Sequence, residues 1–142
     1  MILYLDSSAL LRIVLREAGA LEEVRKAEAL VSSELLAVEC LRTLDRLRLQ
    51  GALSLEEAVV RREAVTEWME AVDLVLLQRS VLSRASEPLP VPLGTLDALH
   101  LATALLWQEQ QGKPLVMATH DGSLALAARS FGIETLGVSG QT

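Results

Sequence analysis

A chain of 142 residues with a formal net charge of −6, from 19 Asp and Glu against 13 Lys and Arg, has the length of one domain and is acidic. With 51% apolar and 23% charged residues it carries material for a buried core, and the composition argues against disorder. It also excludes holding nucleic acid through a broad basic surface, and aromatics at 3% (Tyr4, Trp68, Trp107 and Phe131) are too sparse for a platform that stacks bases.

The apolar run over residues 2–5 has no room for a helix and predicts a strand, followed by Asp6, Ser7 and Ser8 as N-caps for a helix over 8–16. A second helix is expected over 20–29, where Glu and Arg are frequent, and a second strand over 30–32. Leu36, Cys40, Leu44 and Leu47 repeat at helical spacing in a long helix over 34–50, closed by Gly51. Ser54 and Glu57 fit a capping box, which opens a helix reaching about Ala71. A third strand over 72–77 and a short helix over 80–85 precede residues 87–94, where three of the four prolines impose an irregular connection. The remainder predicts a helix over 95–110, a strand over 115–118, a helix over 123–131 and a last strand over 133–138. Strands alternating with helices in this way argue for one α/β domain over 1–142, with a mainly parallel sheet between helical layers.

One cysteine, Cys40, cannot form an internal disulfide, and its apolar neighbours suggest a buried thiol. The N-terminus lacks the basic start of a signal peptide, and no apolar run has the 18 or so residues of a membrane span. The expected location is the cytoplasm.

In parallel α/β sheets the ligand crevice lies beyond the carboxyl ends of the strands, at the point where strand order reverses. Asp6 and Asp121 each follow a predicted strand, although capping a helix explains either one alone. Asp97 opens a helix that is apolar nearly all round, and a carboxylate there costs several kcal/mol unless something positive is close. The helix dipole returns only about 0.3–1 kcal/mol. Glu39 has a simpler account as a surface partner of Arg42, three residues on. Taken together, the four acids form a set suited to a hard divalent cation, which prefers carboxylate oxygen to thiolate or imidazole. His100, one turn after Asp97, accordingly reads as a hydrogen-bonded structural histidine before it reads as a ligand. His120 is expected to point away from Asp121. Arg12 and Arg42 are candidate phosphate contacts, with ion pairing or plain solvation as the competing account.

The segments Tyr4-Leu-Asp6-Ser-Ser-Ala-Leu, Leu36-Ala-Val-Glu39-Cys-Leu-Arg42, Thr95-Leu-Asp97-Ala-Leu-His-Leu-Ala-Thr-Ala104 and Ala118-Thr-His-Asp121, with Ala127-Ala-Arg-Ser-Phe-Gly132 behind them, resemble a PIN-domain ribonuclease, and more narrowly the VapC toxins of toxin–antitoxin pairs. The resemblance spans essentially the whole chain. It implies a three-layer α/β/α sandwich with a central five-stranded parallel sheet, and an endoribonuclease whose acids bind Mg²⁺ or Mn²⁺. Asp6, Glu39, Asp97 and Asp121 match the metal-binding positions, and Ser8 and Thr119 match supporting hydroxyl residues. It further implies RNA as substrate, a cognate antitoxin as partner, and a homodimer. The competing reading is a PIN-like module with little catalysis, kept for protein or RNA binding. An aspartyl-nucleophile hydrolase fits less well, since Ser8 stands where it needs a second Asp. A receiver domain lacks its late lysine, because the only lysines are Lys26 and Lys113.

Overall fold

The first apolar run of the chain becomes the central strand of the sheet. In the computed structural model, which describes residues 1–138, β1 (Ile2–Leu5) pairs in parallel with β2 (Ala29–Ser33) on one side and β4 (Val116–Ala118) on the other. β3 (Asp73–Val75) lies outside β2, and β5 (Glu134–Leu136) outside β4, giving five parallel strands in the order β3-β2-β1-β4-β5. The chain moves outward from β1 to β3, then crosses back to lay β4 and β5 along the opposite edge of β1. Strand order therefore reverses between β1 and β4, the place where such sheets open a crevice.

Alternation along the strands divides the core in two. Leu3, Leu5 and Leu30 face one layer, made by α1 (Ser7–Val14), α3 (Leu35–Leu49) and α4 (Leu55–Ala71), where they meet Leu10, Leu36, Leu44 and Val65. Tyr4, Val31 and Met117 face the other, where α6 (Thr95–Gln111) and α7 (Gly122–Ser130) supply Leu101, Leu105, Trp107 and Leu124. The expected three-layer arrangement is the one observed. α5 (Arg79–Ala85) packs beside α6, and the proline-rich connection sends Leu89, Val91 and Leu93 against the same core. Irregular backbone there follows from proline chemistry, yet its apolar side chains are used.

Local signals in the sequence are honoured where they are strong. The Ser54 hydroxyl accepts the Glu57 N–H at 3.0 Å, and the Glu57 carboxylate accepts the Ser54 N–H at 3.3 Å, closing the capping box. Gly112 ends α6 in the left-handed region, with φ of 64°. The second helix is the main departure. Expected over 20–29, it shrinks to α2 (Glu23–Lys26), because Ala29 is drawn into β2 opposite Ile2 and the Glu28 N–H is taken by the Met1 carbonyl at 2.9 Å. Pairing with the central strand overrides the helical propensity of a Glu- and Arg-rich segment.

Candidate active site

Because β1 and β4 lie side by side, the residues that follow them become neighbours across more than a hundred positions of sequence. Asp6 leaves β1 with its N–H on the Ala118 carbonyl at 3.3 Å, and the residue is 2% exposed. Oδ1 accepts the Ala9 N–H at 2.9 Å, so Asp6 is the N-cap of α1. Capping α1 still leaves the carboxylate beside the strand ends, so the capping account of this residue does not compete with a functional one. The Ser8 hydroxyl lies 2.7 and 2.8 Å from the two carboxylate oxygens and donates to them, while the Thr119 hydroxyl donates to Oδ2 at 2.5 Å. Burial pushes the Asp6 carboxyl above its ordinary range, against the pull of Thr119, Ala9 and Ser8.

Two hydroxyls knit the strand ends together. Thr119 accepts the Asp121 N–H at 3.0 Å through the same oxygen that serves Asp6, and Ser8 accepts the His120 N–H at 2.9 Å. Asp121 in turn caps α7 by accepting the Leu124 N–H at 2.8 Å. Each hydroxyl thus bonds Asp6 and also holds a backbone N–H of the loop that carries Asp121. The His120 ring turns away from this loop, its Nδ1 pairing with the Gly137 carbonyl at 3.0 Å.

Asp97, in the first turn of α6, is half-buried, and its carboxyl is raised to about 6. Burial is the first cause, followed by the charges of Asp121 and Asp6, with Glu39 adding to the rise and His100 opposing it. The four acids from β1, α3, α6 and the end of β4 therefore share one electrostatic neighbourhood. Among the described residues, no Lys or Arg forms an ion pair with Asp6, Glu39, Asp97 or Asp121.

Glu39 overturns its simpler sequence account. Arg42 does not pair with it but with Asp45 at 3.2 Å, and Arg48 holds the same Asp45 at 2.8 Å. Glu39 instead faces inward, with Oε2 accepting the Ser7 hydroxyl at 3.2 Å and Oε1 lying 2.5 Å from His100 Nε2. His100 is fully buried, and its Nδ1 lies 2.7 Å from the Tyr4 hydroxyl. It is the hydrogen-bonded histidine expected from its place on an apolar helix, with both nitrogens engaged. The links to Ser7 and Tyr4 were invisible in sequence, since they join residues 32 and 96 positions apart. Of the candidate phosphate contacts, Arg42 is largely exposed, while Arg12 approaches Glu17 at 3.9 Å.

The donor set around Asp6 consists of carboxylate and hydroxyl oxygens, the chemistry of Mg²⁺ and Mn²⁺ sites. The Asp97 carboxyl is raised first by burial and then by the neighbouring carboxylates, and a cation would relieve the second contribution. Among the described residues no three His, Cys, Asp or Glu side chains already stand together in ion-holding geometry. The fit is one of chemistry and charge. The Cys40 thiol behind Glu39 is excluded from that chemistry, being buried and pushed up to about 12, first by burial and then by Glu39 and Asp6.

Comparison with known proteins gives concordant results. The family model described as PIN domain matches residues 3–129. Ribonuclease VapC46 of Mycobacterium tuberculosis is 32% identical over 140 residues, covering 96% of this chain and 98% of the relative. A solved structure of VapBC-1 from nontypeable Haemophilus influenzae matches with a TM-score of 0.58, covering 96% of this chain and 97% of the matched chain. At 14% identity that last match is a likeness of fold.

Proposed function

The chain belongs to the PIN-domain family, and from that premise we propose that it is a divalent-metal-dependent endoribonuclease acting as the toxin of a type II toxin–antitoxin pair. The observation that carries this reading is the gathering of Asp6, Glu39, Asp97 and Asp121 around the β1/β4 crevice with, among the described residues, no Lys or Arg paired to any of them. The likeness to Ribonuclease VapC46 over nearly the whole of both chains supports RNA as the substrate.

Asp6, Asp97 and Asp121, with Glu39 beside them, would hold Mg²⁺ or Mn²⁺. When bound, the ion lowers the pKa of a water, orients it for in-line attack on the phosphodiester and neutralises charge on the phosphate. The chain's own residues prepare that site. Thr119 and Ser8 orient Asp6, and the two helix N-termini capped by Asp6 and Asp121 turn their positive ends toward the crevice. Arg12 and Arg42 lie on α1 and α3, the helices that carry Ser8 and Glu39, and on this reading they contact substrate phosphates. The toxin reading brings a cognate antitoxin whose basic segment plugs the acidic crevice, a homodimer as the working form, and action in the cytoplasm. No described helix is long and apolar enough to cross a membrane.

The test is cleavage of mixed RNA by the purified chain in Mg²⁺ or Mn²⁺, compared with EDTA and with Asp6→Asn and Asp97→Asn. Asparagine caps a helix as well as aspartate, so Asp6→Asn removes the charge while keeping the start of α1. Metal-dependent cleavage by the wild type and its loss in both folded variants is the expected result. Equal residual cleavage in all three points to a contaminating nuclease, and absence of cleavage in the wild type favours a binding module.

A further inference from the structure

The link from the second core to the acid cluster runs through one imidazole. Tyr4 is fully buried among α6-facing residues. Its hydroxyl points at His100 Nδ1 from 2.7 Å. Glu39 as a carboxylate only accepts, which requires the ring proton to be on Nε2, 2.5 Å from Oε1. With the imidazole neutral, the hydrogen bonds then run from Tyr4 O–H to His100 Nδ1 and from His100 Nε2–H to Glu39.

We infer that His100, held by Tyr4, is a positioning residue that sets the Glu39 carboxylate in the acid cluster. A free glutamate loses rotamer entropy when it is immobilised. Here that ordering is done within the fold. Oε1 is fixed by His100 and Oε2 by the Ser7 hydroxyl at 3.2 Å. Each carboxylate oxygen has two acceptor directions, so each keeps one for a cation or for water bound to it. His100 itself touches neither metal nor substrate, because both of its nitrogens are engaged. The three partners come from α1, α3 and α6, so the contact also fixes the relative placement of helices on opposite faces of the sheet.

This inference rests on the metal-dependent reading above, and the experiment separates the two. Mn²⁺ binding to the full-length chain is measured by titration calorimetry for wild type, His100→Ala, His100→Gln and Tyr4→Phe, with folding checked by circular dichroism. Loss of an outer partner of a ligating group typically weakens metal binding about 10–100-fold, and that is the expectation for His100→Ala. The amide N–H of His100→Gln can replace Nε2–H toward Oε1 and should restore most of the affinity. Tyr4→Phe removes one oxygen and leaves the imidazole, so it reports on the link even where His100→Ala does not fold, and should weaken binding severalfold. In the metal-free wild type, nitrogen NMR of the histidines should show His100 protonated at Nε2, with that proton losing its protection from exchange in Glu39→Ala. Wild-type affinity in folded His100→Ala or in Tyr4→Phe overturns the inference, as does a His100→Gln variant no tighter than His100→Ala. A wild type that binds no Mn²⁺ while keeping the protected Nε2–H overturns the metal reading, and the inference with it.

Discussion

Thr119 donates its hydroxyl proton to Asp6 across 2.5 Å, joining the ends of two strands that are far apart in sequence. The same oxygen accepts the Asp121 N–H, so removing it disturbs both acids at once. Thr119→Val keeps the shape and deletes both bonds. Since a hydrogen bond to a charged group contributes about 1.5–3 kcal/mol, the variant should lose roughly 2 kcal/mol in urea unfolding. NMR titration should find the Asp6 carboxyl raised further, because Thr119 is the largest of the influences now holding it down.

Asp97 gives the metal-free protein a definite pH dependence. Its folded pKa of about 6 lies above the ordinary 3.8, so between those values the folded state binds more protons than the unfolded state. Asp97 therefore contributes its least penalty below about 4, and stability falls as pH rises toward and through 6. With half of the group exposed, screening discounts the penalty to about 1 kcal/mol. Asp97→Asn in EDTA should be more stable than wild type by that amount at pH 7–8, and equal to it near pH 4, in parallel denaturant series.

Divalent metal should reverse the same penalty. Ligand present at about 100 times its Kd stabilises the folded state by about 2.7 kcal/mol, worth roughly 8 °C in a domain of this size. A rise in Tm of that order on exchanging EDTA for Mn²⁺, absent in Asp6→Asn, is the expected outcome of thermal scans. An unchanged Tm in the wild type counts against the site.

Gly137 is the glycine whose replacement should reach the site. Its φ is 107°, and an added Cβ would sit 2.2 Å from the Thr119 carbonyl oxygen, which is backbone and cannot swing aside. Gly137→Ala should cost about 2–3 kcal/mol and lower Mn²⁺ affinity by displacing the end of β4. The same calorimetric titration and urea series measure both effects.

Cys40 should be silent toward alkylation. With its thiol pushed up to about 12 and fully buried, iodoacetamide at pH 8 should leave the native protein unmodified and label it only in denaturant.

Much of this molecule was legible before its structure, for identifiable reasons. The Ser54–Glu57 box, the proline-rich connection and the buried stripe of α6 are encoded within a few neighbouring residues, so sequence carries them directly. The acids were legible as a set because each sits at a strand end or on a helix facing the crevice. What escaped was long-range choice among local equals. Glu39 has Arg42 at helical spacing, yet its partners are Ser7 and His100, selected by how α1, α3 and α6 converge. The shortened α2 has the same origin, since β1 recruits Ala29 from a segment whose composition favours helix.

The insertion of β4 between β1 and β5 also sets a timetable for synthesis. During translation, β1, β2 and the helix bearing Glu39 leave the ribosome first, when one edge of β1 has no neighbour and Asp6 has no Thr119. The crevice gains its second wall only after residues 116–121 have been made, and α7 must then form for Asp121 to cap it. A stalled or prematurely terminated product lacking that stretch has no Asp121 or Thr119 and an open strand edge, which marks it for aggregation or proteolysis. On the ribonuclease reading, the growing polypeptide cannot attack the messenger that encodes it until most of that message has been translated.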